Sequence, residues 1–309
     1  MHPFVKFTVG AAAALACLTA DTACAVEQSI SSLKVYVYGA EEADVNSFVL
    51  ADAKGTFIID TTRNSREARK VVELAQSRGK APEFLLITHG HPDHYLGMAE
   101  LKKAFPHMRI VVANQGVKDD IIGFSTWMES VGWLEQEPQM KPKSTKHPDG
   151  FDYQKEIEVL DTPFIKLPGG EVLDVKSDYD ATEAEHETTL YSRDLNALFA
   201  SDLAYNKVHL WLGVGVPRAS IEQWKRVLAD LESQYGKKKS VVYPGHGKPG
   251  DVAIFAEDRT YMDALLKVVE ESPSEEEAKA RMTALYPDYR NADFLLAQSI
   301  KFQMTQVKR

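Results

Sequence analysis

Cysteine is almost absent from this 309-residue chain. The two cysteines are Cys17 and Cys24, and both lie in the first 25 residues. The chain after residue 25 can therefore form no disulfide and has no thiolate to act as a nucleophile or a metal ligand. It also lacks a Gly-x-Ser-x-Gly motif, so nothing in the sequence indicates the nucleophile elbow of a serine hydrolase.

Positive charge is also scarce. The chain has 36 Lys and Arg residues against 45 Asp and Glu residues, which gives a formal net charge of −9. Contacts with a nucleic-acid backbone need a basic surface, so nucleic acid is not expected as a partner. With 44% hydrophobic residues and a mean hydropathy of −0.29, the composition excludes a polytopic membrane protein. A chain of this length can bury a sizeable core without disulfides.

The sequence has no apolar run long enough to span a membrane, but a shorter apolar run lies near the N-terminus. The stretch Phe7–Thr19 covers about 13 residues, whereas a membrane span needs about 20. It follows Lys6 and precedes small residues that suit a cut after Ala25, the pattern of a secretory signal peptide. We therefore expect residues 1–25 to be removed, leaving a periplasmic or secreted protein with no stable membrane anchor. A retained anchor, or a lipoprotein modified at Cys17, is the alternative.

Alternating or short apolar runs indicate strands in the first part of the chain, and segments with helical spacing lie between them. The predicted strands are Leu33–Tyr38, Ser47–Leu50, Thr56–Asp60, Phe84–Thr88 and Arg109–Ala113, and the predicted helices are Ser65–Arg78 and Pro92–Phe105. The turn sequence Asp52-Ala53-Lys54-Gly55 predicts a hairpin between the second and third strands. The order β-β-α-β-α-β predicts an α/β protein with a substantial sheet.

The second half of the chain begins with a segment of little periodicity, residues 117–155. We predict a long irregular insertion here, which is typical of a lid or binding loop and otherwise of a mobile surface loop. Further strands are predicted at Ile157–Leu160, Phe164–Leu167, Glu171–Val175, Thr188–Ser192, Ala197–Ala200 and Ser240–Tyr243, with a helix at Ser220–Gln234 capped by Ser220. Residues 251–309 have a helical pattern and form a predicted C-terminal extension. The sequence thus predicts a single domain over residues 26–309.

The strongest chemical signal is the sequence His89-Gly90-His91-Pro92-Asp93-His94, directly after a predicted buried strand. Imidazole and carboxylate are the usual ligands of zinc and also suit iron and manganese, and open α/β sheets place their sites at strand ends. A polar turn with chance histidines is the alternative. Further candidates where a loop meets a predicted strand are His186, Asp202 and His246. Taken alone, His186 or Asp202 could equally be a surface or turn residue.

In this order the residues resemble the metallo-β-lactamase-fold hydrolase superfamily, and the resemblance covers the chain from about Leu33 to Gly250. It implies a four-layer α/β/β/α sandwich with a two-metal site at one edge, holding two Zn²⁺ per chain, with iron and manganese as alternatives. The implied ligands are His89, His91 and His186 for the first ion, Asp93, His94 and His246 for the second, and Asp202 as the bridge. The resemblance also implies that Asp60 supports a ligand from behind; a turn residue is the alternative.

The sequence departs from the family pattern around the third histidine. Most relatives carry Gly-His-Thr there, whereas this chain has Glu185-His186-Glu187. The branch with a cysteine ligand is excluded, so the ligand set is similar to that of lactonases, glyoxalase-type thioesterases and histidine-rich β-lactamases. Tyr205 stands where acyl-homoserine lactonases place a tyrosine that touches the substrate carbonyl, or it packs in the core. His209 and Trp211 could line the same pocket or be ordinary strand residues.

The implied chemistry needs no Ser or Cys nucleophile. Two divalent ions bring the pKa of a shared water towards neutrality, so that hydroxide can attack a carbonyl carbon. Tyr205 could stabilise the oxyanion, and Asp93 could pass a proton to the leaving group. The leading hypothesis is an exported metal-dependent hydrolase of a small acyl compound, a lactone or ester. The alternatives are a metallo-β-lactamase acting on β-lactams and an iron-dependent oxidoreductase; a non-catalytic binding protein or a phosphodiesterase fits less well. The substrate and the oligomeric state are left open.

Overall fold

One of the two β-sheets is built from the first half of the chain. The computed structural model describes residues 32–307, and the predicted signal peptide lies outside them. The strands are β1 (Lys34–Gly39), β2 (Asn46–Ala51), β3 (Thr56–Ile59), β4 (Pro82–Leu86), β5 (Arg109–Val112) and β6 (Ile157–Val159), and they pair in this order. The pairs β1–β2 and β2–β3 are antiparallel, and the following pairs up to β5–β6 are parallel.

The other sheet is built from the second half of the chain. Its strands are β7 (Phe164–Lys166), β8 (Val172–Lys176), β9 (Thr189–Ser192), β10 (Ala197–Asn206) and β11 (Val241–Gly247). The order is β11-β10-β9-β8-β7, with β10 and β11 parallel and the remaining pairs antiparallel. The parallel pair matters most for the site, because parallel strands present their carboxyl ends at the same edge of the sheet.

Both halves of the chain contain helices between or after their strands. They are α1 (Ser65–Gln76), α2 (Pro92–Tyr95), α3 (Met98–Ala104), α4 (Gln115–Ser130), α5 (Tyr153–Glu156), α6 (Arg218–Gly236), α7 (Ala253–Glu271), α8 (Glu275–Leu285) and α9 (Ala297–Val307). A 3₁₀ turn lies at Pro138–Met140 and a π-helical turn at Ala292–Leu296. Across residues 32–307, no helix combines the length and apolarity that crossing a membrane requires.

Alternation of side chains along the strands divides the core into layers. In β2, Phe48 and Leu50 belong to the apolar cluster between the two sheets, while Val49 belongs to the cluster between the first sheet and helices such as α1 and α3. The cluster between the sheets includes Phe48, Leu50, Phe57, Ile59, Leu173, Leu190 and Phe199. The outer cluster on the second sheet includes Leu198, Ala200 and Val242 with Trp224 of α6 and Phe255 of α7. The predicted α/β/β/α sandwich with C-terminal helices is therefore confirmed.

The prediction of an irregular segment is wrong for the start of residues 117–155. Helix α4 begins at Gln115, and the side chain of Asn114 caps it by accepting a hydrogen bond from the Val117 backbone N–H. Its buried residues are Val117, Ile121, Ser125 and Met128, which share one face of a helix. The helical pattern is difficult to recognise in the sequence because the polar Ser125 lies within the buried stripe and the aromatic Trp127 lies on the exposed side.

Two other helix predictions need correction at their ends. The predicted helix Pro92–Phe105 is broken into α2 and α3, because the Gly97 backbone N–H bonds to the hydroxyl of Thr61 instead of continuing one helix. Ser220 does not cap α6, which begins at Arg218 with Pro217 at its cap position. Proline fixes φ at a value that suits a helix start, so it sets the boundary two residues earlier.

Candidate metal centre

The candidate site lies where strand ends of both sheets meet. The loop after β4, residues 89–94, carries four of the predicted ligands and runs into α2. Asp202 lies within β10 and His246 within β11, so the second sheet contributes two more. The fold thus brings together residues from distant parts of the sequence.

The backbone of β10 is irregular at the position where it presents Asp202. The pairing of β10 with β11 shifts register at Ser201, whose φ of 53° lies in the left-handed region. Gly245 lies alongside on β11, and a Cβ atom at that position would overlap the Asp202 carboxylate. A glycine is therefore required at this point so that the two strands can approach with Asp202 between them.

Six of the predicted ligands, together with Glu183, form three overlapping groups, and within each group the ligand atoms lie within 4.8 Å of one another. The groups are His89, His94 and Asp202; Asp93, His94 and His246; and His91, Glu183 and Asp202. Asp202 and His94 each belong to two groups, so the three groups share members and make up one cluster. The ring centroids of His89 and His94 are only 4.3 Å apart, and those of His94 and His246 are 5.6 Å apart.

Three buried ligand atoms of the cluster have no hydrogen-bond partner within residues 32–307. They are Nε2 of His89, Nε2 of His94 and Oδ1 of Asp202. The last two lie 3.1 Å apart, yet their geometry is not that of a hydrogen bond. A buried polar atom left unpaired costs about 1–3 kcal/mol, and native structures rarely tolerate several in one place. A cation bound among these atoms removes that cost, so the residues fit a metal ion of the kind that imidazole and carboxylate ligands favour.

Three of the histidines present Nε2 to the cluster because their Nδ1 atoms are already engaged elsewhere. His94 Nδ1 lies 2.9 Å from Asp60 Oδ2, His246 Nδ1 lies 2.8 Å from the carbonyl oxygen of Ala43, and His89 Nδ1 lies 3.0 Å from Thr88 Oγ1. Such contacts to the second ring nitrogen fix the tautomer and the orientation of metal-binding histidines. The Asp60 carboxylate also accepts hydrogen bonds of 2.8 Å from the backbone N–H and the hydroxyl of Thr88. The structure thus places Asp60 directly behind His94, one of the predicted ligands.

Two buried carboxylates of the site were not among the predicted residues. Glu183 Oε1 lies 3.3 Å from His91 Nδ1, and its other oxygen lies 2.7 Å from the hydroxyl of Tyr205. Glu187 accepts a 2.9 Å hydrogen bond from the Ser201 hydroxyl, beside His89. Only the histidine of this loop was predicted as a ligand, although carboxylates such as those around it are also suitable ligands for hard cations.

Several carboxylates are buried close together in the cluster. Burial, together with the charge of Asp202, raises the pKa values of Glu183 and Glu187 well above the ordinary value. Burial by itself raises the pKa of Asp202, but the positive charges of His94 and His246 hold it well below the ordinary value. Burial by itself lowers the pKa of His94, but Asp202 and Asp60 raise it well above the ordinary value. Carboxylates crowded together in this way need positive charge nearby, which a divalent cation supplies.

His186 lies outside the cluster in this structure, and its role as a ligand of the first ion stays a prediction that this position does not support. It belongs to none of the three groups found among the described residues. Its Nδ1 lies 2.8 Å from Asp120 Oδ2, its ring packs on Gly116 so closely that a Cβ there would overlap it, and its side chain is 37% exposed. Asp120 and Gly116 belong to α4, the helix that the sequence analysis did not predict. The neighbouring Glu183 enters the cluster in its place.

Asp93 and Tyr205 lie at the cluster. Asp93 Oδ2 is 3.6 Å from His246 Nε2, and the Asp93 side chain is 14% exposed. The hydroxyl of Tyr205 lies 3.1 Å from Asp202 Oδ2, and its ring stacks on His246 with centroids 4.6 Å apart. Tyr205 is thus buried, but its hydroxyl faces the ligands and not the apolar core.

The two possible pocket residues lie among the C-terminal helices. His209 is buried, and its Nδ1 lies 2.9 Å from the hydroxyl of Tyr261 on α7. Trp211 stacks on Phe294, with ring centroids 5.9 Å apart. Neither belongs to a metal-ligand group found in residues 32–307.

The fold and the cluster together define a metal-binding α/β/β/α protein of the hydrolase type. The family model of the metallo-beta-lactamase superfamily matches residues 40–246, about two thirds of the chain. The chain therefore belongs to the metallo-beta-lactamase superfamily, as the order of its ligands predicted. Membership implies a metal-dependent hydrolase acting on a small molecule.

Solved structures share the fold, and short segments match curated proteins. The structure is similar to a metallo-beta-lactamase family protein from Thermus thermophilus, with a TM-score of 0.60, 20% identity and coverage of 87% of this chain and 92% of that one. It is also similar to a beta-lactamase domain protein from Burkholderia ambifaria, with a TM-score of 0.58, 18% identity and coverage of 87% and 85%. A hydroxyacylglutathione hydrolase from Vibrio campbellii is 42% identical over 45 residues, 15% of this chain and 18% of that one. The matched segments span about a fifth of the length of the curated relatives.

Proposed function

We propose that this protein is an exported hydrolase that uses two zinc ions to attack the carbonyl carbon of a small lactone or ester. The observation that carries the proposal is the set of buried His and Asp atoms that have no hydrogen-bond partner among the described residues and belong to residues whose ligand atoms lie within 4.8 Å of one another. Superfamily membership supports hydrolysis. The chain after residue 25 has no cysteine and no serine elbow, so metal-supported attack is the route that its residues favour.

Each ligand has a role in this proposal. Asp93, His94 and His246 would hold one ion, His89 and His91 would contribute to the other, and Asp202 would serve both. Zinc ions held there would supply a hydroxide nucleophile at neutral pH and polarise the carbonyl of the substrate. Asp60 keeps His94 in the tautomer that presents Nε2. Asp93 remains partly accessible, so its carboxylate can carry a proton to the leaving group.

A row of aromatic rings supports a substrate with an apolar acyl group. The Phe124 ring lies beside His91, with centroids 6.4 Å apart. Trp127 contacts Phe124 at 5.3 Å, and Trp133 contacts Trp127 at 4.9 Å. Both tryptophans are about half exposed, so the row leads from a proposed ligand to the surface. We propose that the apolar part of the substrate lies along these rings while its carbonyl reaches the metals.

A thioester is the second candidate substrate. The segment of 45 residues that matches a hydroxyacylglutathione hydrolase favours it, since that relative is named for such a substrate. The ligand set is the same for both reactions, and only the group leaving the carbonyl differs. The distinction therefore depends on how the protein recognises the substrate.

The test is an assay of zinc-loaded protein against a panel of lactones, esters, thioesters and β-lactams with short and long acyl groups. We expect the highest kcat/KM for a lactone or ester with a long or aromatic acyl group. A preparation of Asp202→Ala, purified in parallel, controls for contaminating hydrolases. A clear preference for thioesters or β-lactams would replace the lactone proposal, and inactivity on the whole panel would refute it.

Export is tested by fractionation. When the full chain is expressed in a Gram-negative host, we expect the protein in the periplasm or medium, with an N-terminus at Val26. A matched control lacks residues 2–25 and should remain in the cytosol. Recovery of the full-length chain from the cytosol would contradict export, and recovery from the membrane would support a retained anchor.

A further inference from the structure

The departure from the family pattern around His186 raises the question of which residue completes the first metal site. The stretch 183–187 contains three glutamates and one histidine, and any of them has a suitable ligand atom. We propose that Glu183, and not His186, is the third protein ligand of the first ion. This assignment rests on the proposed two-metal site.

The position of Glu183 supports this assignment. Its carboxylate lies within 4.8 Å of ligand atoms of both His91 and Asp202, and its side chain is about 2% exposed. One oxygen lies 3.3 Å from the His91 ring, and the hydroxyl of Tyr205 lies 2.7 Å from the other. Glu183 therefore already lies among the proposed ligands, and Tyr205 restricts its orientation. A buried carboxylate beside another carboxylate is expensive unless a cation neutralises both.

The position of His186 argues against it. Its Nδ1 pairs with Asp120, and its Nε2 faces the backbone of α4 at Gly116. Its side chain is more than a third exposed, so it lacks the unpaired buried nitrogen found in His89 and His94. His186 could enter the cluster only after the ring had left both of these contacts.

A carboxylate in place of an imidazole changes the chemistry of the first site. Two histidines and one carboxylate bind catalytic zinc in some hydrolases, and the same set binds iron(II) in non-haem oxygenases. The added negative charge makes the site bind hard ions such as Mn²⁺ and Fe²⁺ more favourably than a site of three histidines does. We therefore expect Glu183→His to shift the selectivity of the first site towards Zn²⁺ and away from Mn²⁺.

The test measures metal binding and does not depend on activity. Metal-free wild-type protein, Glu183→Gln, Glu183→His and His186→Ala are titrated with Zn²⁺ and with Mn²⁺ by calorimetry, and bound metal is counted by mass spectrometry. We expect two Zn²⁺ per chain for the wild type, for His186→Ala and for Glu183→His. We expect Glu183→Gln to bind one ion tightly and the other at least about 100-fold more weakly, because loss even of a contact behind a ligand weakens affinity by about 10–100-fold.

Each outcome decides the proposal. Loss of one ion from His186→Ala, with two retained by Glu183→Gln, would assign the site to His186. Two tight ions in both variants, or fewer than two in the wild type, would also overturn the assignment. Circular dichroism checks folding, and Glu183→His keeps the proposal testable if Glu183→Gln does not fold. A wild type that binds two ions in this pattern but hydrolyses nothing would refute the proposed function and leave the assignment intact.

Discussion

The carboxylate of Asp60 organises both the backbone and a ligand of the site. It contacts His94 Nδ1 and accepts two hydrogen bonds from Thr88, the residue just before the histidine loop. The backbone φ of Asp60 is 56°, in the left-handed region that non-glycine residues adopt uncommonly. The three contacts compensate for this strained backbone and fix the start of the loop relative to β3.

Asp202 is the residue whose loss should most affect the metals. In Asp202→Ala a shared anion is removed, and two cations close together are left poorly neutralised. We expect loss of one bound ion and a fall in kcat of at least about 100-fold, the scale seen when one electrostatic stabiliser is lost from an active site. Metal counting and turnover at saturating zinc check this, and unchanged turnover would show that Asp202 does not bridge the ions.

Tyr205 should affect rate through its hydroxyl and not through its ring. In Tyr205→Phe the stacking on His246 is kept, while the contacts to Glu183 and Asp202 are lost. We expect kcat to fall about tenfold, the lower end of what the loss of an orienting contact costs. Recovery of the rate at high zinc would mean that the hydroxyl orients ligands, and no recovery would mean that it acts on the substrate. A variant with wild-type kcat would exclude both roles.

Helix α4 connects the metal centre with the surface. Its first turns hold Gly116 and Asp120 against His186, and its last turns carry the exposed aromatic rings. The segment predicted as a lid is therefore anchored to the core by a buried helical face, and only residues 131–152 lack longer helices or strands. The proposed contact with substrate belongs to the end of this helix and the turn that follows it.

Trp127→Ala tests the role of this element. Aromatic contacts contribute about 0.5–1.5 kcal/mol beyond the area they bury, so we expect KM for substrates with long or aromatic acyl groups to rise up to about tenfold. The value of kcat, and both constants for short acyl substrates, should stay within about twofold. Leu285→Ala, which removes an equally exposed apolar side chain from α8, is the matched control. Equal effects of Trp127→Ala on short and long substrates would contradict a binding role.

Across the whole molecule, the proposed metals connect the two sheets. Residues 89–94 follow a strand of the first sheet, while Asp202 and His246 lie in the second. An ion present at 1,000 times its Kd stabilises the folded state by about 4 kcal/mol, and 1 kcal/mol shifts Tm by about 2–4 °C in a protein of this size. We expect chelation to lower Tm by at least about 10 °C, and added Zn²⁺ to restore it. No change would mean that the cluster is stable without cations.

His209 should make the stability of the whole molecule depend on pH. Burial, with a smaller contribution from Lys279, lowers its pKa to about 4, whereas an unfolded histidine titrates near 6.5. Below pH 6.5 only the unfolded chain gains this proton, so stability that is present above pH 6.5 is lost as the pH falls towards 4.

The expected loss is about 2 kcal/mol between pH 7.5 and pH 5, and His209→Asn should not show it. The measurement is urea unfolding of both metal-free proteins at the two pH values. Removing the metals first separates this titration from metal release. Equal pH dependence in the two proteins would mean that His209 is not kept neutral by the fold.

The order of the ligands along the chain was enough to predict the family and the four layers, both of which the structure and the family match confirm. The loop His89–His94 is informative because several metal ligands fall within six residues, a spacing that depends little on the rest of the fold. The strands were predictable because alternation and apolar runs reflect burial directly.

Only the tertiary structure decided which side chains of residues 183–187 face the cluster. This loop has no periodicity, so its sequence does not tell which way each side chain points. The contacts of Glu183 with Tyr205 and of His186 with Asp120 join residues far apart in the chain. Asp120 lies on α4, a helix that was not predicted from the sequence. Local spacing determined the motif, and long-range packing determined which neighbouring residue lies against the cluster.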